Sequence, residues 1–171
     1  MCSSDLSVAL RGVVSVAPDT ELQATVQGFT DVRDRGLDFT DNSSKGADAS
    51  LRLVGKGRWG WSALGYVQER AFSSQFASVN DARTATTLTL NQYNVPATGL
   101  GGRVEVLPPL GGLTLRLGSD VRVVSGRTQE LFTYVNGNPT RRRDAGGTTR
   151  TAGAFADLTV PLGQVTLDLN G

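Results

Sequence analysis

Apolar and polar residues alternate with a period of two along most of this chain, the spacing of a half-covered strand rather than the 3.6-residue period of a helix. In Ala47–Leu53, Ala47, Ala49, Leu51 and Leu53 alternate with Asp48, Ser50 and Arg52. Leu113, Leu115, Leu117, Val121 and Val123 repeat the pattern against Thr114, Arg116, Asp120 and Arg122. Leu22, Ala24, Val26 and Val32 oppose Gln23, Thr25, Gln27, Asp31 and Arg33, and Val104 and Val106 oppose Arg103 and Glu105. Ala152, Ala154, Ala156, Leu158 and Val160 oppose Thr151, Asp157 and Thr159; Val165, Leu167 and Leu169 oppose Thr166, Asp168 and Asn170. The spacing predicts about eight strands, near residues 7–17, 21–35, 46–56, 59–72, 99–107, 112–131, 148–160 and 164–170.

The connections predict how those strands are joined. Pro18–Thr20, Gly57–Arg58, Pro108–Gly111 and Pro161–Gly163 read as tight turns, built from residues that preset turn dihedrals. Between them, Gly36–Lys45, Ser73–Thr98 and Phe132–Gly147 are longer polar stretches and read as loops. Short and long connections therefore alternate, as in an antiparallel meander with a short-turn end and a long-loop end. All 6 prolines fall in connections or at strand ends, where no ladder donor is lost.

Roughly ten-residue segments of dyad alternation, short turns on one side and long loops on the other, are the pattern of a transmembrane β-barrel. The expected fold is all-β, an antiparallel meander of about eight strands forming a partial outer-membrane β-barrel, a curved open sheet. Its apolar face would meet lipid. Its other face, carrying Arg33, Arg52, Arg103, Glu105, Arg116, Asp120, Arg122 and Asp157, with Arg11 and Asp168, would line a wet lumen. A soluble sandwich would need that apolar face as a core, yet it is made of Leu, Val, Ala and Gly with few large aromatics. Trp59 and Trp61 sit beside a short turn, where the aromatic belt of a membrane interface belongs. Phe29, Tyr66, Phe155 and many arginines on the inner face call for a lumen wider than that of an eight-stranded barrel. The strands near Ser7–Ala17 and Gln164–Asn170 are thus expected to be open edges.

Composition narrows the chemistry. Of 171 residues 39% are hydrophobic and 21 are glycine, poor material for a conventional core, and a net charge of +1 gives no field to attract nucleic acid. There is no histidine, which removes the commonest general base and transition-metal ligand, so a lipase or protease barrel lacks its usual catalytic arrangement. No catalytic residue, cofactor or metal is assigned, and the chain is not expected to be an enzyme. Gly55–Gly60 matches a G-x-G-x-x-G spacing, but strands flank both sides where a dinucleotide site needs a helix, so it reads as a hairpin turn. Asp31, Asp34, Asp38 and Asp41 read as a solvated acidic rim, since their spacing is not that of a calcium loop. Arg141, Arg142 and Arg143, with Phe132, Tyr134 and Tyr93, are the extracellular-loop candidates for an anionic ligand or lipopolysaccharide phosphates.

Trp59–Phe72, the segment Asn91–Pro96 and Val104–Leu117 resemble the barrel of a TonB-dependent receptor, and the likeness of texture extends over residues 7–171. The resemblance implies an outer-membrane protein of a Gram-negative bacterium that imports a scarce nutrient, such as a ferric siderophore or cobalamin, as a small molecule or metal chelate. It implies a barrel of about 22 strands with a plugged lumen. Outer-membrane lipid, the remaining barrel strands, a plug domain and the TonB complex would be the partners, the last three lying outside these residues. The other reading is a complete small barrel of about eight strands with a structural or adhesive role. Met1–Leu6 back-translates, from a GTG start, to a stretch similar to the end of a common sequencing adapter. Residues 1–6 are therefore expected to be a non-native leader, with the receptor fragment running over 7–171 and Cys2 carrying no functional information.

Overall fold

The computed structural model describes Ser3–Gly171; Met1 and Cys2, with the reading attached to Cys2, lie outside the described residues. The strands are β1 (Ser3–Ala17), β2 (Thr20–Arg33), β3 (Asn42–Gly55), β4 (Gly60–Val79), β5 (Thr86–Leu107), β6 (Pro109–Leu110), β7 (Leu113–Val135), β8 (Asn138–Leu162) and β9 (Val165–Asn170). They form one antiparallel sheet in the order β1-β2-β3-β4-β5-β7-β8-β9, with β6 paired only to β7. The strand beyond the expected eight is therefore β6, a two-residue piece of the Pro108–Gly111 turn, Pro109 and Leu110 pairing with Thr114 and Leu113. The all-β meander and the open sheet are as the alternation and turns predict. No ladder joins β1 to β8 or β9 among the described residues, so the sheet is not a closed barrel of eight.

Cross-strand register puts directly opposed residues on the same face. One row runs Gln23–Arg52–Leu64–Arg103–Asp120–Gly153, and the next runs Ala24–Leu51–Gly65–Gly102–Val121–Ala152 on the opposite face. The rows keep their parity across the sheet, so Arg33, Arg52, Arg103, Glu105, Arg116, Asp120, Arg122 and Asp157 all share the polar face, as expected. Leu51, Leu53, Leu113, Leu115, Leu117 and Val121 share the apolar one.

No hydrophobic side chain is buried among the described residues, and Leu10, Val26, Leu51, Leu100, Val104 and Val121 are each more than half exposed. A single layer cannot cover its own apolar face. Leaving this much apolar surface in water would forfeit the term that dominates folding, so the fold calls for a covering that the described residues do not themselves supply.

The two longest expected loops are corrected. Ser73–Thr98 is a continuation of β4 to Val79, a short turn, and β5 from Thr86; Phe132–Gly147 is a hairpin of β7 and β8 that turns at Asn136 and Gly137. Polar residues fall on both faces over much of these stretches and weaken the alternation, although Leu88 and Leu90 still alternate with Thr87 and Thr89, and the backbone ladder continues through pairs such as Glu130↔Arg143 and Tyr134↔Pro139. Asn136 and Gly137 both have positive φ, 49° and 77°, the requirement of a type I′ turn. Asn-Gly is the strongest short-range hairpin signal, and it marks this turn in the sequence. At the opposite end the tight turns fall where expected, and Gly55 and Gly60 flank the β3–β4 hairpin turn.

Four aromatic rings lie across glycines on neighbouring strands. A methyl group at Gly46, Gly101 or Gly118 would overlap Phe29, Tyr66 or Phe155 on the polar face, and one at Gly55 would overlap Trp61 on the apolar face. Missing Cβ atoms let the rings pack against backbone, a known device for stabilising strand glycines.

Candidate functional site

The middle of the polar face carries a set of ordered ion pairs. Arg116 and Asp157 are directly opposed, and Arg116 Nε donates to Asp157 Oδ2 at 2.9 Å. Arg103 pairs with Glu105 two residues along β5, at 2.5 Å. Both guanidinium groups stack on Phe155, Arg103 at 4.6 Å and Arg116 at 5.6 Å from the ring centroid. Farther up, Arg70 Nη2 donates to Asp48 Oδ2 at 2.9 Å, Gln27 Nε2 donates to the same oxygen at 2.6 Å, and Arg70 stacks on Phe29 at 5.3 Å. Each ring fills the space over a glycine and carries a cation on its outer side. Exposed pairs of this kind contribute about 0–1 kcal/mol each, so their main effect is to fix where the charges stand. Arg33 pairs within its own strand, with Asp31 at 2.7 Å. Arg52, Asp120 and Arg122 enter no ion pair among the described residues and present free charge.

A second cluster lies at the far end of the same face. Glu130, only 2% exposed, accepts from Gln92 Nε2 at 2.7 Å, from Thr128 Oγ1 at 3.1 Å and from Arg143 Nε at 2.6 Å. A buried carboxylate needs this many donors to offset the loss of hydration. The amide of Gln92 does most to hold Glu130 below its ordinary pKa, against the opposing effect of burial, with Arg143 and Thr128 adding to it. Arg143 stacks on Phe132 at 5.5 Å and keeps its side chain 55% exposed. Phe132, Tyr134 and Arg143 line an open groove of about 540 Å³ with Leu90 and Thr87, and Arg141 is the partner of Phe132. A guanidinium anchored by a buried acid and backed by a ring can receive an anion with little rotamer entropy left to lose.

This placement revises the loop candidates. Arg141, Arg142 and Arg143 are strand residues, not a loop tip, so their side chains alternate between faces. Arg141 and Arg143 join Phe132 and Tyr134 on the polar face, whereas Arg142, paired with Leu131, is on the other. Tyr93 sits at a bulge between Gln92 and Asn94 and lines a separate groove with Asn42 and Ser73. Glu130 was not singled out by the sequence, although its even spacing from Asp120 and Arg122 puts it on the same face. Of the two tryptophans, Trp61 lies in the apolar row Gly55–Trp61–Val106–Leu117, and Trp59 is in the adjoining turn, 58% exposed. Asp34 caps the amide of Gly36 at 2.6 Å, and no group of three acidic or cysteine side chains fit for a metal occurs among the described residues. The chain matches no family model, no curated protein and no solved structure.

Proposed function

We propose that the chain is a section of the wall of an outer-membrane β-barrel of the TonB-dependent receptor kind, its apolar face against lipid and its polar face toward a plug-filled lumen. The observation that carries this reading is the outline of the apolar face. Toward the long-hairpin end, past an isolated Ser119 inside the band on β7, that face turns polar at Lys45 on β3, Glu69 on β4, Thr98 on β5, Ser125 on β7 and Arg150 on β8. The middle three are register partners; Lys45 lies two residues beyond their row and Arg150 two residues short of it. The margin thus falls by four residues over the four strand-to-strand steps from β3 to β8. The other margin descends in the same sense, from Leu53 on β3 through Trp61 and Val106 to Leu113 on β7 and Val160 on β8.

A lipid layer is flat, so a band that crosses the hydrogen-bond rows at an angle records the tilt of the strands in it. At roughly 3.3 Å per residue and 4.8 Å per strand the slope is about 35°, within the range of transmembrane barrels. On β7 the band runs from Leu113 to Val123; tilted so, it stands about 25 Å tall, the height of an outer-membrane apolar belt. The open sheet favours a wider barrel over the small one of eight strands, which would need β1 paired to β8 or β9.

Within this reading the chain serves nutrient import. Arg141, Arg143, Phe132 and Tyr134 stand on the lumen side above the membrane, where an anionic chelate such as a ferric siderophore would arrive. The plug, the remaining strands and the contact with the TonB complex belong to regions outside the chain. The test is the genomic sequence around these codons. A plug domain upstream and further alternating strands beside this section are expected; a signal peptide immediately before Ser7 with a stop codon after Gly171 would replace the receptor by the small barrel.

A further inference from the structure

Three rings lie over glycines on the polar face, and two of them are covered in turn: Arg70 stacks on Phe29, and Arg103 and Arg116 stack on Phe155. The third, Tyr66 over Gly101, has no cation on it among the described residues. Its row runs Thr25–Ser50–Tyr66–Gly101–Arg122–Thr151, so the ring reaches across β5 toward Arg122. A cavity of about 220 Å³ opens beside it, lined by Thr25, Gln27, Asp48, Ser50, Tyr66 and Gln68. Asp48 is taken by Gln27 and Arg70, whereas the hydroxyls of Thr25, Ser50 and Tyr66 have no hydrogen-bond partner among the described residues. The neighbouring row Gln23–Arg52–Leu64–Arg103–Asp120–Gly153 supplies the other charges around the ring. Arg103 is held by Glu105. Arg52, Arg122 and Asp120 are exposed and enter no ion pair among the described residues, two free cations against one free acid.

We infer that this patch binds a single hydroxylated ring carrying one anionic group, the chemistry of a sugar acid. The inference deepens the reading of the polar face as the wall of an import passage, and rests on it. Each part of the patch selects a part of the ligand. The uncovered face of Tyr66 takes the apolar face of a ring, and the hydroxyls and amides at its edge pair with the ring hydroxyls. Charge selects the sign. Arg122, directly opposite Gly101 in the row of the ring, can give a carboxylate two parallel hydrogen bonds, and Arg52 stands diagonally across from Tyr66 on the other side, about 7–8 Å away. A cation laid on the ring would stand among these two arginines, while the free acid, Asp120, is a row farther from the ring than Arg122. Size selects a single ring, because the cavity falls below the roughly 300–1,000 Å³ of sites for drug-sized ligands.

The full chain, refolded in detergent micelles with isotope-labelled tyrosine, tests this by titration with glucuronate, with glucose, which lacks the charge, with acetate, which stands for a protein carboxylate, and with argininamide, which stands for a protein cation. The chain has 3 tyrosines, so the ring signals of Tyr66, Tyr93 and Tyr134 report the place of binding. Glucuronate is expected to shift Tyr66 and to bind about tenfold more tightly than glucose, acetate or argininamide. Arg122→Gln should weaken glucuronate about tenfold and leave glucose unchanged. Arg141→Gln with Arg143→Gln, at the far end of the same face, should keep both affinities. Acetate or argininamide binding as well as glucuronate, a shift at Tyr134 in place of Tyr66, an undiminished affinity in Arg122→Gln, or no response of Tyr66 to glucuronate overturns the inference. Quenching of tryptophan emission by brominated detergent separates the two readings. Quenching without a response of Tyr66 sinks the inference and leaves the lipid-facing band standing; absence of quenching removes the barrel reading, and the inference with it.

Discussion

Glu130 is almost wholly buried, yet donors from two neighbouring strands keep it ionised, Gln92 on β5 and Arg143 on β8. Replacing it by glutamine preserves the shape and removes the charge, leaving Arg143 with weaker partners. A loss of about 1–3 kcal/mol in the local stability of the hairpin is expected, read from amide hydrogen exchange over residues 128–145. Because the folded carboxylate titrates below its ordinary value, its stabilisation is complete above the ordinary glutamate range and disappears as the pH falls through the lowered one. The gap between wild type and Glu130→Gln should therefore be wide at pH 7 and close in acid. A gap that ignores pH would mean the charge is irrelevant. Glycines give a second residue-scale outcome: Gly118→Val drives a side chain into the Phe155 ring and the Val104 carbonyl, whereas Gly65→Ala meets nothing within 4 Å. The first should cost about 1–3 kcal/mol in urea unfolding and the second close to nothing. The facing of the charges is legible from alternation alone, because a period of two assigns each side chain to one face or the other. Its spacing places Glu130 on the polar face as well, but its burial does not show in the alternation, because the partners that enclose it, Gln92 and Arg143, lie 38 and 13 residues away in sequence.

At the scale of the element, the extension of β7 and β8 rests on a two-residue turn and on polar cross-strand pairs. Asn94 donates to Gln129, Gln129 donates to Asp144, and Thr140 donates to the Thr133 carbonyl. Gly137 holds a φ of 77° that a β-branched residue reaches only with strain. Gly137→Val should cost about 1–2 kcal/mol and open the tip, seen as faster proteolytic cleavage between Thr133 and Thr140 with the strands of the apolar band still protected. Unchanged cleavage would mean that the turn does not govern the hairpin. The strands inside the apolar band could be read from the sequence to within a few residues, since lipid or core must sort their side chains. Their extensions are harder to read: with polar residues on both faces over much of their length they follow the backbone ladder, and they show in the sequence through Asn136-Gly137 and through Leu88 and Leu90 alternating with Thr87 and Thr89.

For the whole molecule, the sloping band makes a depth-dependent prediction. Leu117 is near its middle on β7, so Leu117→Arg should destabilise the chain folded in vesicles by about 2–4 kcal/mol, measured as the urea midpoint. Ser50→Arg, on the opposite face between Thr25 and Tyr66, should shift it little. Equal costs on the two faces would contradict a lipid side and a wet side. The aromatic rings laid over glycines also change what the inner wall is like to anything beside it. By their size Phe29, Tyr66 and Phe155 would stand out from the polar face, but they cover neighbouring backbone at Gly46, Gly101 and Gly118, and Arg70, Arg103 and Arg116 stack on two of those rings. Bulk is thereby converted into smoothness. In the proposed barrel the clearance of the passage would be set by the path of the backbone, and a body moving along this wall would meet flat ring faces and recumbent cations that offer few protrusions to catch on.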